Sequence, residues 1–454
     1  MNKKSIIAAL AILLSLPIGA QNTYKYRISL KDKAATTYSL DKPEQYLSAK
    51  ALERRAKQGL KVDSTDLPVC KNYVDAIRDK GVSVVTTGKW NNTVTVQCED
   101  TTLIDGIVSL PFVVQTEKVW TSPDSIPARN KKRLKEITNK LTSTDDFYGA
   151  ARRQIAIHKG DSLHAAGFRG EGMTIAVIDG GFYNVDGMKA LKNVNILGTK
   201  DFVNPNSDIY EENTHGMMVL SCMATNQPYV MVGTAPAASY WLLRSEDVDT
   251  ESLVEQDYWA SAIEFADSVG VDVINTSLGY REFDDKSKNY QYRNLDGKFA
   301  LMSRSAGMAA DKGMVVVCSA GNEGVKPWKK ITPPADAFNV ITVAAIDSSL
   351  MNAPFSSVGN TADGRVKPDV AAMGLRSVVM GADGTVSHAN GTSFASPTMC
   401  GLVACLWQAC PNLTAKQLIE LVRKSGDRVD YPDNIFGYGI PDVYSAYKNV
   451  NGIK

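Results

Sequence analysis

Ser393 lies in the run from Asn390 to Thr398, directly after Gly391 and Thr392 and at the mouth of a helical apolar stretch. That stretch carries Phe394, Ala395, Met399, Leu402, Val403 and Leu406. A serine hydroxyl is a weak nucleophile until a base takes its proton and donors stabilise the oxyanion it creates. The start of a helix leaves backbone N–H groups free to meet developing negative charge. The rest of the chain must then supply a base, an orienting carboxylate and a second oxyanion donor.

Three further segments carry such groups. Thr174 to Asp179 reads as a buried strand ending in a carboxylate, with Gly180 and Gly181 just beyond it. An acid at the carboxyl end of a parallel strand sits where open α/β sheets hold their sites; Asp179 also suits a turn or a helix cap. His215 precedes a helical apolar pattern, and the chain has only three other histidines, His158, His164 and His388. His158 and His164 lie on an amphipathic stretch and read as structural, while His388 is a rival base by its nearness to Ser393 in sequence. Met314 to Gly324 reads as another buried strand running into a Gly-rich turn. The Asn322 amide there can donate to an oxyanion, or Asn322 can simply fill a left-handed turn position.

The order Asp179, His215, Asn322, Ser393 resembles the subtilisin-like (subtilase) serine peptidases, whose triad runs Asp, His, Ser. The block from Gly391 to Pro397 matches that family's serine motif, and Ser319, Ala320, Gly321 and Asn322 resemble its oxyanion segment. The block from Ile274 to Gly279 is similar to the strand along which those enzymes hold substrate backbone. Thr234 to Ala238 resembles the family's turn into a core strand, and Tyr438 to Asp442 its closing turn. Two positions depart from the pattern: Gly180-Gly181-Phe182 follows the aspartate, and Met217 follows His215-Gly216. Neither removes a triad side chain.

The resemblance implies a catalytic triad of Asp179, His215 and Ser393, with Asn322 and the Ser393 N–H holding the oxyanion. It implies substrate binding by Ser277, Leu278 and Gly279 and by Ser319, Ala320 and Gly321. Glu323 would sit at the rim of the primary specificity pocket and favour a neutral or basic side chain. No metal ligand is assigned. Many subtilases bind calcium, and residues 225–229 follow the His215 helix where such a site often lies, but that loop holds no carboxylate. No cofactor is required by this chemistry.

The elements that must position these groups fall into segments. Residues 1–20 read as a signal peptide: Asn2, Lys3 and Lys4, then an apolar stretch too short to span a bilayer, then small residues before Gln21. Residues 21–120 read as a small α+β domain. Its expected strands are residues 24–30, 81–87, 92–97 and 113–119, and its expected helices 43–56, 72–80 and 101–108. By position and pattern this domain resembles subtilase pro-domains, which assist folding and then block the cleft; an accessory binding domain is the other reading. Residues 121–147 read as a polar linker with Pro123 and Pro127 and a basic run, where cleavage would separate the two domains. Residues 148–454 read as the catalytic domain, an α/β fold with a mostly parallel central sheet flanked by helices. No internal repeat or low-complexity tract appears.

A chain of 454 residues has room for a large core and more than one domain. Its net charge of +1 gives no reason to expect nucleic acid or an anionic membrane as partner. The seven cysteines show no metal-ligand spacing; most lie in apolar stretches, while Cys70 and Cys98 are close enough in pattern to pair within the first domain. The expectation is an exported, secreted or periplasmic, serine endopeptidase that acts on proteins or peptides, with its own pro-domain as inhibitor and without stable membrane insertion. The alternative is a non-catalytic member of the same fold that binds peptides. An α/β-hydrolase esterase fits less well, because Ala395 stands where a nucleophile elbow needs glycine and the triad order differs.

Overall fold

The computed structural model describes residues 22–123 and 142–453. The expected signal peptide and the basic run of the linker lie outside the described residues. The alternating pattern of the first domain folds as an antiparallel sheet of β1 (Tyr24–Leu30), β2 (Ser83–Gly88), β3 (Thr93–Cys98) and β4 (Val113–Thr121). The spatial order is β2-β3-β1-β4. Helices α1 (Ala49–Lys57), α2 (Lys71–Arg78) and α3 (Leu103–Val108) accompany it. The helix expected over residues 43–56 splits: Pro43–Gln45 forms a 3-10 turn, and Ser48 then caps α1 by accepting from the Ala51 N–H. Pro43 favours the first turn of a helix, but a serine oxygen that satisfies an orphan N–H sets the start of α1 six residues later, at Ala49.

The second domain is built on seven parallel strands. Largely apolar runs give β5 (Thr174–Asp179), β7 (Ser239–Arg244), β8 (Val273–Thr276), β9 (Val315–Ser319), β10 (Ile341–Ile346) and β11 (Val370–Met373), and the more polar Asn195–Asp201 forms the edge strand β6. Their order is β11-β10-β9-β8-β5-β7-β6. Every residue of β5, β8, β9, β10 and β11 is buried, as strands covered on both faces must be. α4 (His215–Ala224) and α7 (Thr392–Ala409) pack together on one face of the sheet, and α5 (Val254–Val269) and α6 (Leu301–Met308) pack together on the other. The chain leaves β5 for β6 and β7 on one side and later returns to place β8 on the other. The carboxyl ends of β5 and β8 therefore flank a topological switch point, where open α/β sheets bind ligands.

The first domain rests on α5. Along that helix Asp257, Ser261, Glu264 and Ser268 recur at three- and four-residue spacing, a polar stripe opposite the apolar face of Tyr258, Trp259, Ala262, Ile263 and Ala266. Yet most of that polar stripe is buried, because the first domain covers it. Arg27 on β1 grips Asp257 with Nε and Nη2 at 2.7 and 2.6 Å, and Thr95 donates to the same carboxylate at 3.0 Å. The backbone N–H groups of Lys89 and Trp90 donate to Glu264 at 2.6 and 2.9 Å. Arg54 and Arg55 on α1 both meet Asp267, at 2.5 and 2.9 Å. Trp90 and Val119 complete the apolar cluster beneath α5.

All seven cysteines are free thiols, so Cys70 and Cys98 are buried but unpaired by any disulfide. Among the described residues no helix is long and apolar enough to cross a membrane.

Asp267 is fully buried and shared by two buried guanidinium groups. Asp267→Ala leaves Arg54 without its carboxylate in a low-dielectric contact, which costs roughly 3–5 kcal/mol. Chemical denaturation of the full chain measures this, and a loss below about 1 kcal/mol is incompatible with a closed, dry interface.

Candidate active site

Asp179 is the last residue of β5 and is fully buried. One carboxylate oxygen, Oδ1, accepts from the Gly180 N–H at 2.8 Å and from His215 Nδ1 at 2.8 Å. His215 opens α4, whose first turn is set by Asn213: its Oδ1 accepts from the His215 N–H at 2.8 Å. The next residue must be glycine. A Cβ on Gly216 would stand 2.4 Å from the Gly181 carbonyl and 2.8 Å from Asp179 Cβ, so any side chain there pushes α4 off the aspartate.

With Nδ1–H donating to Asp179, His215 presents Nε2 as its acceptor. Burial lowers the pKa of this imidazole, but the charge and hydrogen bond of Asp179, with the nearby Glu246 carboxylate, outweigh burial and raise it to about 9. The side chain is 29% exposed, so its outer edge meets the cleft.

Ser393 sits in the first turn of α7 and is 7% exposed. Its hydroxyl donates to the Ser277 carbonyl at 3.3 Å, and no hydrogen bond joins it to His215. The serine is locked in place by a network from β8. Ser277 Oγ donates to the Ser393 carbonyl at 2.9 Å, Asn275 Nδ2 donates to Ser277 Oγ at 3.1 Å, and Ser396 Oγ donates to Asn275 Oδ1 at 2.8 Å.

Asn322 follows β9 after Gly321, whose φ of +105° is a conformation suited to glycine. Asn322 Oδ1 accepts from both the N–H and the hydroxyl of Thr392, each at 2.9 Å. This pair fixes the amide flip, so Nδ2 carries the free donors. Nδ2 lies 3.6 Å from a Cβ position at Gly391, two residues before the serine.

The residues expected to bind substrate divide into two sets. Leu278 and Gly279 continue from the end of β8, and among the described residues no hydrogen bond to their main-chain groups is found. Ser319, Ala320 and Gly321 are tied inward: the Ala320 N–H donates to Val343, the Ala320 carbonyl accepts from Thr332, and the Gly321 N–H donates to Thr392 Oγ1. Glu323 ion-pairs with Lys326 at 2.8 Å and approaches Arg281 at 3.9 Å, so its charge is shared and offers little pull on a basic side chain.

His388 is exposed on the hairpin of residues 377–389, paired with Val378, and makes no hydrogen bond to Ser393. His158 and His164 are buried, bonded to the carbonyls of Pro441 and Thr234 respectively, and burial lowers each to about 4. The two sequence departures, Phe182 and Met217, are both fully buried in the main core and act through packing.

Sequence reasoning did not single out Thr392, Asn275 or Ser396 as positioning residues. Thr392 and Ser396 flank Ser393 and Asn275 precedes Ser277, so the signal lay inside motifs already noted. The field of Glu246 on His215 had no local signal.

Residues 225–229 were the candidate calcium loop. Tyr229 there donates its N–H to the Phe147 carbonyl at 2.9 Å and accepts from the Thr144 N–H at 2.6 Å. Asn226 and Gln227 pair with Val232 and Met231, and the loop brings no charged oxygen. Among the described residues no group of three or more His, Cys, Asp or Glu side chains is arranged to hold a metal.

Comparison with known proteins identifies the family. Residues 170–439 match the subtilase family, and residues 25–136 match a peptidase S8 propeptide domain of Bacteroidota. The chain belongs to the subtilase family. It is similar to subtilisin NAT of Bacillus subtilis subsp. natto, 30% identical over 284 residues, which cover 62% of this chain and 66% of that protein. To subtilisin DY of Bacillus licheniformis it is 30% identical over 298 residues, covering 64% of this chain and 97% of that one. A solved structure, the MycP3 protease from the type VII (ESX-3) secretion system, shares the fold at a TM-score of 0.53 and 24% identity, covering 68% of this chain and 90% of its own.

An imidazole held by a buried carboxylate titrates high. In NMR titration of the full chain the His215 midpoint is expected near 9, against an ordinary 6.5, and Asp179→Asn shifts it to markedly lower pH. The same midpoint in both proteins rules out the pairing.

Proposed function

We propose that the chain is an exported serine endopeptidase, made as a zymogen that removes its own pro-domain. The observation that carries this is the 2.8 Å contact between His215 Nδ1 and Asp179, standing at the same edge of the sheet as Ser393 and the free amide of Asn322. Rotation of the Ser393 hydroxyl from the Ser277 carbonyl toward His215 Nε2 brings nucleophile and base together. Ser393 Oγ then attacks a peptide carbonyl carbon while His215 takes the hydroxyl proton. Asp179 holds the imidazole in the required tautomer and stabilises its cation.

The tetrahedral oxyanion is met by Asn322 Nδ2–H and by the Ser393 N–H, an orphan donor at the start of α7. Collapse gives an acyl-serine, with His215 returning the proton to the leaving amine. Water activated by the same imidazole releases the acid. Substrate backbone pairs with the free main-chain groups of Leu278 and Gly279 as an added strand. That mode reads backbone before side chain, so proteins and peptides of varied sequence are the substrate class.

Two further observations support processing and inhibition. The last strand of the first domain, β4, ends at Thr121 in a recess shared with Ser252, Leu253, Phe283 and Asp284, the loops that flank the cleft. The polar linker that follows is a segment where cleavage separates the domains without breaking either core. Residues 1–20, 21–120, 121–147 and 148–454 are proposed as signal peptide, pro-domain, linker and catalytic domain. Export follows from the character of residues 2–20, giving a secreted or periplasmic enzyme.

Ser393→Ala is expected to lower turnover about 10⁶-fold, and Asn322→Ala roughly 10²–10³-fold; both figures come from the equivalent changes in subtilisin itself. Peptide hydrolysis by the purified variants measures them, and residual activity of a few per cent in Ser393→Ala removes the nucleophile assignment. Ser393→Ala is also expected to accumulate as the uncleaved full-length chain on gels and by intact mass. Normal processing of that variant shows that another protease matures it.

A further inference from the structure

Residues 31–70 separate β1 from α2, and the sheet of the first domain does not use them. The apolar core of that domain draws on β1, then resumes only at Val69. α1 lies in this stretch, and its polar groups go to the second domain instead. The Ser48 N–H, at the N-cap of α1, donates to the Ser268 carbonyl at 2.9 Å. Lys50 pairs with Asp272 at 3.2 Å and donates to the Thr174 hydroxyl. Arg54 donates to the Val271 carbonyl and, at 3.2 Å, to the Lys312 carbonyl, besides its pair with Asp267. Gln58 uses both ends of its amide: Nε2 donates to the Gly313 carbonyl and Oε1 accepts from the Ala415 N–H, each at 2.8 Å.

The second domain reaches back with Lys312. Its Nζ donates to Asp63 at 3.0 Å, Thr65 at 2.7 Å and Asp66 at 3.1 Å, all in the same stretch. Arg55 links Asp66 to Asp267, at 2.8 and 3.0 Å. Arg55, Asp66, Asp267 and Lys312 are each at most 2% exposed, so two charges from each domain are closed in one network. Lys33 ties the end of the stretch to its own domain by donating to the carbonyls of Leu67 and Lys89, each at 2.6 Å.

These partners gather at the amino end of the sheet. Thr174 opens β5, Val271 and Asp272 precede β8, and Lys312 and Gly313 precede β9. Asp179 stands at the other end of β5, roughly 16 Å away along the strand. None of the contacts involves Asp179, His215, Asn322, Ser393 or residues 277–279, so this grip does not pass through the cleft. The end of β4, by contrast, lies on the cleft side. The first domain therefore holds the second from both ends of the sheet. Separating buried charge pairs strands each charge until water reaches it, which slows dissociation.

We infer that residues 48–66 are a docking arm for the amino edge of the second domain's sheet, and that it keeps the first domain attached after the linker is severed, whether or not the cleft is occupied. Covalent removal is then not release: the enzyme works as two chains, and the cleft opens when the segment after Thr121 withdraws. The docking rests on the contacts above alone; that the two-chain form is the active one rests on the peptidase reading.

The test uses the full-length Ser393→Ala chain with a recognition sequence for a site-specific protease placed within residues 124–141 and an affinity tag at its carboxyl end. After cleavage the first domain should stay on the immobilised second domain through hours of washing at physiological salt. Arg54→Gln with Arg55→Gln should speed its loss about a hundredfold, as removal of one side of buried, hydrogen-bonded charge pairs does. Lys50→Ala with Gln58→Ala leaves the buried network in place and should speed the loss about tenfold, which keeps the test decisive if the arginine variant does not fold. Moving the cut to directly after Pro123, so that no segment remains to enter the cleft, should leave the rate unchanged. Loss of the first domain within minutes from the parent chain, arm variants that dissociate as slowly as the parent, or a rate set by the position of the cut each overturn the inference. In matured wild type, peptide hydrolysis should co-elute with the two-chain species, and hydrolysis confined to a species lacking the first domain overturns the inference as well. Absence of hydrolysis from every fraction overturns the peptidase reading and leaves the washing experiment to decide the docking.

Discussion

Asp179 has no exposed surface, and a carboxylate so placed has to be held by donors. Its two donors are the Gly180 N–H and the His215 imidazole. The rest of the site can be read as the means of bringing an imidazole to that point. The parallel sheet carries Asp179 to its carboxyl edge, Asn213 starts α4 at the right residue, and the missing Cβ of Gly216 lets the helix close on the aspartate. The price is a cationic bias on the histidine, since Asp179 and Glu246 together favour its protonated form. That bias would serve the proposed reaction, in which the imidazolium forms and must be stabilised.

Ser393 is positioned from the other side of the switch point by neutral hydrogen bonds. Asn275, Ser277 and Ser396 tie α7 to β8, and Thr392 ties the Asn322 amide to the residue beside Ser393. Each of these bonds spends one face of a polar group and leaves another toward the cleft: the Ser277 carbonyl for the resting serine hydroxyl, the Asn322 Nδ2 for an oxyanion. Preorganised dipoles of this kind need no rearrangement as charge develops. The first domain is joined by a different chemistry. Its contact with α5 uses buried ion pairs, Arg27 with Asp257 and Arg54 and Arg55 with Asp267, around the apolar Trp90 and Val119. Such pairs fix register and orientation more surely than they add stability.

The sheet, and the elements that carry Asp179, His215, Asn322 and Ser393, were legible in the sequence because each is written locally. A continuous apolar run that meets small residues and glycine marks the end of a buried parallel strand, and β5 and β9 end where that pattern says. The small domain was legible from alternation in β1 and helical spacing in α2, with ends displaced by a residue or two. What escaped the sequence depends on distance along the chain. Asn275 and Ser396 are 121 residues apart, and nothing local pairs them. The polar stripe of α5 has clear helical spacing, but only the fold shows that another domain covers it. Glu323 looked like a free acid at a pocket rim; Lys326 and Arg281 are folded over it. Cys70 and Cys98 looked able to bridge, but Cys70 precedes α2 while Cys98 ends β3, and each is buried as a thiol.

Activation of one serine by one histidine is the central claim, and it is open to direct chemical reading. A fluorophosphonate probe, applied to the full-length chain with and without His215→Ala and followed by peptide mass mapping, reports it. The account predicts covalent labelling at Ser393 alone, abolished when His215 is removed. An unlabelled wild-type serine, or equal labelling with and without the imidazole, would contradict it.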